Sequence, residues 1–205
     1  MAGITLRRIA IFGAPVALGA LAAIHPMMPD DNLAIWNLIH ILQIPLAALF
    51  GIGLLLMLRG IVGGAANAAR MAIIPWIAFF AAYDGVAGLA TGSLAGYGHA
   101  HPEAAEAVAS AAAAMVDSPY LGLVLMIGAV GFALIVFGGT AVALRRSGAS
   151  PYAAIAIAIG GVVWTFVHPL IGAPAMLVFL IGAAAVELAA ARDTAVSPAT
   201  AVAGA

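Results

Sequence analysis

The chain contains no cysteine and no lysine, and only 7% of its 205 residues are charged. Without cysteine there is no disulfide, no thiolate metal site and no cysteine nucleophile, so any bound metal must rely on histidine and carboxylate ligands. Without lysine there is no Walker-type phosphate loop, no basic tail for nucleic acid and no lysine Schiff base, which removes retinal proteins of the usual kind. Charge this sparse, against about 25% in soluble domains, cannot dress the surface of a water-soluble fold. Serine offers little for nucleophilic catalysis, because each one falls in a loop, at the end of an apolar stretch or in the C-terminal tail.

What is present is apolar helix, with 65% hydrophobic residues and a mean hydropathy of +1.18. Stretches of membrane-spanning character run over Ile9–Ile24, Leu33–Leu58, Met71–Leu94, Tyr120–Leu144, Tyr152–Val167 and Leu170–Ala191. Segments rich in Gly, Pro or charge separate them: His25–Asn32, Arg59–Arg70, Ala95–Pro119, Arg145–Pro151 and the tight His168-Pro169 turn. The expected fold is therefore all-α, a polytopic bundle of six transmembrane helices forming one domain over residues 1–193. The His168-Pro169 division is the weakest, since one long kinked helix there would give five spans. The tail from Thr194 to Ala205, small residues with one proline, is expected to be disordered. Arg7-Arg8, a short apolar run and Ala20-Leu21-Ala22 resemble a secretory signal, but the expectation is a retained first span.

Orientation follows from arginine, which stays on the cytoplasmic side of span ends. Six spans put Arg7, Arg8, Arg59, Arg70, Arg145, Arg146 and Arg192 on one face, and Asp30, Asp31, Glu103, Glu106 and Asp117 on the other. Both termini are then cytoplasmic, in a bacterial-type plasma membrane crossed several times. The long outer loop Ala95–Pro119 should carry a short surface helix, opened by Pro102, favoured by Glu103 and Glu106 at its positive end and propagated by the alanine run. Gly88, Gly92 and Gly96 form small-xxx-small patterns suited to close helix packing within the bundle or between protomers of a homo-oligomer, and a large residue at Gly88 should do far more harm than one at Gly53. Trp36, Trp164 and Tyr120 fit an outer aromatic belt and Tyr152 an inner one.

Asp84 is the residue most suggestive of chemistry, because a carboxylate well inside the third span is costly unless paired, hydrated or protonated. On the second span Asn37, His40 and Gln43 fall with Ala47 and Gly51 on one narrow polar and small stripe, which must point inward. His40 lies seven residues below the outer end near Leu33 and Asp84 seven below the outer end near Thr91, so both are expected roughly 10 Å deep at 1.5 Å per residue. Asn37, His40, Gln43 and Asp84 are therefore candidates for a ligand pocket or proton pathway. His40 and Asp84 with His168 are a candidate metal set, and a buried histidine is also a possible haem ligand. His25 and His168, beside prolines, read as interfacial helix ends, and Glu187 is close enough to the inner end of the last span to reach Arg192 or water. The functions compatible with this pattern are a small transporter or binding protein for a ligand, cation or proton, a membrane-embedded metal or haem protein, and an accessory subunit of a membrane complex.

Sidedness is open to direct test. Cysteine placed at Ser110, in the long outer loop, is expected to react with an impermeant thiol reagent on intact cells, and cysteine at Asn67 is not; the reverse labelling would invert or abolish the six-span scheme.

Overall fold

The computed structural model describes residues 2–196, which are mostly helical, with no strand among them. The helices are α1 (Ala2–Ala23), α2 (Leu33–Met57), α3 (Gly64–Ala100), α4 (Ala105–Val116), α5 (residues 119–146), α6 (Pro151–Val167) and α7 (Leu170–Arg192). Five of the helical segments are long and apolar enough to cross a membrane, and α6 is a shorter apolar helix. The final helix continues to Val196, beyond the expected start of the tail, and residues 197–205 lie outside the described part.

Local chemistry accounts for the helix ends. Asn32 caps α2, its side chain accepting from the Ile35 amide at 3.1 Å. Arg70 closes the other end, donating to the carbonyls of Leu58 and Ile61, each at 2.6 Å, so a cation meets the negative end of the helix dipole. Gly60, with φ +81°, and Gly148, with φ +103°, take the left-handed backbone that turns the chain between α2 and α3 and between α5 and α6. The C-terminal end of α3 departs from expectation: the helix runs unbroken to Ala100 rather than ending near Leu94, and a 3₁₀ turn at Pro102–Ala104 leads into α4. With 37 residues, α3 has a contour of ~55 Å, well over the ~30 Å of a hydrocarbon core.

Pairwise contacts show how the helices run. In lipid no hydrophobic force drives helices together, so backbones must approach closely where small residues allow it. A Cβ on Gly53 of α2 would lie 2.8 Å from the Ala10 carbonyl oxygen of α1, and one on Gly51 would lie 2.9 Å from Ile73 and Ile77 of α3. Gly139 of α5 faces Ala65 and Ala69 of α3, and Gly161 of α6 faces the ring of Phe137 on α5. A Cβ on Gly160 would lie 2.6 Å from the Ala175 carbonyl oxygen, and one on Gly182 2.7 Å from that of Ala153. Early residues of α6 therefore meet late residues of α7. The two helices are an antiparallel hairpin, and non-helical dihedrals at Val167 and Ile171 mark where the chain reverses. α7 returns to α1, where Gly19 sits against Met176, and the ring closes with both termini at one end of the bundle.

Two packing expectations are corrected. Gly53 is not the open position expected: a Cβ there would lie 2.8 Å from the backbone of α1, which cannot rotate away, whereas the closer approach at Gly88 is to the His40 side chain. Trp164 is fully buried and belongs to no aromatic belt: it lies 5.2 Å from Phe80, within a cluster of rings from Phe50, Trp76, Phe80, Phe137 and Phe179 that fills the middle of the bundle. Tyr120 and Tyr152 are exposed, as anchors would be.

Glu187 also differs from expectation, because its partner is Arg7. The guanidinium nitrogens lie 2.8 and 2.9 Å from the two carboxylate oxygens, a bidentate clasp between the first and last helices. Glu187 is 7% exposed and Arg7 39%, and this asymmetry orders the mutational outcomes. Arg7→Ala strands a buried carboxylate and is expected to cost about 3 kcal/mol, whereas Glu187→Gln leaves an arginine able to reach water and is expected to cost about 1 kcal/mol. Thermal unfolding in detergent measures both; equal costs would mean that the pair is not a buried clasp.

Candidate functional site

At the acidic end of the bundle, α2 and α3 bring polar groups together below the surface. His40 Nδ1 lies 2.8 Å from Asp84 Oδ1, with His40 4% and Asp84 1% exposed. A single proton, on the imidazole or on the carboxyl, completes this hydrogen bond, and proton transfer across it moves charge without moving either helix. A charge buried this completely is costly unless it is paired, hydrated or neutralised by a proton.

The local fold explains how an imidazole fits between two helices. Asp84 is the last residue before Gly85–Ala90, where α3 widens into a π-helical turn. Such insertions break the regular ladder of backbone hydrogen bonds and free carbonyls for other donors. The Gly88 carbonyl accepts from Trp36 Nε1 at 2.8 Å and from the Thr91 hydroxyl at 2.9 Å, and Thr91 also bonds to the Ala87 carbonyl. Gly88 itself makes room for His40, since a Cβ there would overlap the imidazole ring. Gly92 does the same for the next turn of α2, where a Cβ would overlap Asn37 Oδ1 and lie 2.7 Å from Trp36 Cδ1. The glycine pattern thus serves the seating of these side chains, a role beyond the plain helix packing expected of it.

Trp36 and His25 complete the cluster. The Trp36 ring is 4.6 Å from that of His40, and the His25 ring is 5.1 Å from His40 and 5.3 Å from Trp36. His25 follows α1, and its Nδ1–H donates to the Pro26 carbonyl at 2.5 Å. Burial pushes the His25 imidazole below its ordinary pKa, an effect that this hydrogen bond partly offsets. His25 and Trp36 were expected to be interfacial residues, and the sequence signal that could have placed them is the run of polar and aromatic positions from His25 through Trp36 to His40.

Of the other expected site residues, Gln43 is fully buried one turn deeper than His40, with neither end of its amide hydrogen-bonded among the described residues. Asn37 Oδ1 and Asp84 Oδ2 are likewise buried without a hydrogen bond there. Unpaired polar atoms in a low-dielectric interior are expensive, and their gathering beside the His40–Asp84 hydrogen bond marks a polar interior larger than the pair itself. The third member of the metal set, His168, has its side chain outside the described residues. Among the described residues no group of three or more His, Asp or Glu side chains could hold a metal.

A cavity of about 480 Å³ opens beside the cluster, between the segment after α1, the outer part of α3 and α4, with Trp36 and Thr91 in its wall. Compared with known proteins, the chain matches no family model, no curated protein and no solved structure. Its chemistry therefore has to be read from its own residues.

Gly88 supplies the sharpest local test. Gly88→Ala is expected to displace His40 from Asp84 and to lower stability by about 2–3 kcal/mol, as overpacking does. Gly122→Ala, where a Cβ meets nothing within 4 Å, is the control and should be neutral or slightly stabilising. Equal melting temperatures for the two variants would show that His40 does not depend on Gly88.

Proposed function

We propose that this chain is a six-span membrane protein with both termini in the cytoplasm, and that its His40–Asp84 pair is a proton-exchanging site reached from the outer side, coupled to binding or transport of a small ligand. The observation that carries the reading is the buried 2.8 Å contact between two groups that titrate, at a depth where a purely structural bond would be served as well by uncharged side chains. The antiparallel hairpin of α6 and α7 supports six crossings, although α6 is short. The gathering of every arginine at the end carrying the termini supports the cytoplasmic assignment of that end. α4, exposed along its length and placed over the acidic end, fits the outer surface helix.

The ring cluster bears on the type of function. Phe50, Trp76, Phe80, Phe137, Trp164 and Phe179 are each no more than 1% exposed and occupy the bundle below the pair. Packed rings offer no polar path, which favours binding or alternating access over an open channel. Transport would require these rings to repack, as one helix set rocks against the other.

A reading in which the pair only fastens α2 to α3 makes a different prediction. Infrared difference spectra between acid and neutral pH are expected to contain a protonated-carboxyl band that vanishes in Asp84→Asn and shifts in His40→Ala. In thermal unfolding the double variant should be hardly worse than the stronger single one, with a coupling of about 1–3 kcal/mol. A spectrum with no pH-dependent carboxyl band, or one indifferent to His40→Ala, would leave the pair a helix fastener without proton exchange.

A further inference from the structure

The cavity under α4 has a chemistry of its own. Its volume of about 480 Å³ lies in the range of sites for small organic ligands. Alanine, valine, leucine and methionine side chains make most of the wall, and the polar exceptions are Asp30, Thr91, His99 and Asp117, with Trp36 at the inner side. No arginine lines it.

The electrostatics of this wall are unbalanced toward negative charge. Asp30 is paired with His99 at 3.0 Å. Asp117 has no ion-pair partner among the described residues, and it stands at the C-terminal cap of α4, with no basic residue in the last turn. A helix C-terminus already carries about half a negative charge, so a carboxylate there is placed against its own helix. A cation in the cavity would relieve both charges at once. Trp36 adds a π surface of the kind that attracts alkylammonium groups, and the alanine face of α4 with Val108 would cover an apolar body.

We propose that this cavity binds a small organic cation with an apolar body, an alkyl- or arylammonium, its charged end directed to Asp117. The inference deepens the reading of the His40–Asp84 site, on which it rests, by naming the ligand class at that site's outer mouth. Trp36 provides the physical link, because it lines the cavity and packs on His40.

Equilibrium dialysis of the purified full chain in detergent, with phenyltrimethylammonium as probe and benzenesulfonate as the anion of similar size, tests the assignment. The cation is expected to bind at least about tenfold more tightly than the anion, and Asp117→Asn to weaken cation binding by about fivefold or more. Ala109→Trp, from an exposed position on α4, should fill the cavity and abolish binding while the melting temperature is kept. Equal uptake of the two probes, no uptake, or unchanged cation binding in Asp117→Asn or in folded Ala109→Trp would overturn the proposal. Two separate readouts distinguish the two claims: the carboxyl band reports proton exchange at His40–Asp84, and dialysis of the two probes reports the cavity. Cation binding without any carboxyl band in the unmodified protein would support the cavity and refute proton exchange, and the converse result would do the opposite.

Discussion

Helices in a membrane gain nothing from hiding apolar surface from one another, so their contact depends on how closely their backbones can approach. In this bundle glycine sets that distance at successive crossings. Gly53 admits the backbone of α1, Gly139 that of α3, and Gly160 and Gly182 lock α6 and α7 into a hairpin. Without those approaches the ring of helices would not close, and the Arg7–Glu187 clasp would not form between the first helix and the last.

The same constraint builds the site. Gly88 and Gly92 leave space on α3 into which Trp36, Asn37 and His40 of α2 project, and that proximity lets the imidazole reach Asp84. The π-helical turn after Asp84 adds the other half of the arrangement by freeing carbonyls that hold Trp36 and Thr91. Packing and polar chemistry are therefore one structural solution here: small residues bring the helices near, and the nearness lets a buried imidazole and carboxyl satisfy each other.

Along the axis of the bundle the character of the interior changes in layers. Acidic residues and the α4 cavity lie at one end, the polar cluster below them, the packed rings in the middle, and the arginines at the other end. A proton or ligand approaching from the acidic end meets titratable groups and then a dry aromatic barrier. That gradient gathers the titratable groups toward the acidic end and leaves the middle of the bundle to packed rings.

Composition and hydropathy alone determined that the chain is a multispan helical membrane protein, because no other structure satisfies so many backbone groups with so few charges. Counting residues from expected span ends set His40 and Asp84 at one level, since rise along a helix is constant, but α3 runs on to Ala100, and it is the tertiary structure that brings the two side chains into contact. Rotation about each helix axis was beyond the reach of sequence: with nearly every face apolar, no periodic pattern states which face meets which neighbour. Only the tertiary structure could decide that Trp164 is core and not belt, that Glu187 pairs with Arg7 across the chain, that Gly53 abuts the backbone of α1, and that His25 turns inward onto His40. Depth is a one-dimensional property of sequence, whereas contact between faces depends on how close the backbones come in three dimensions, and here that was set by glycines scattered along the chain.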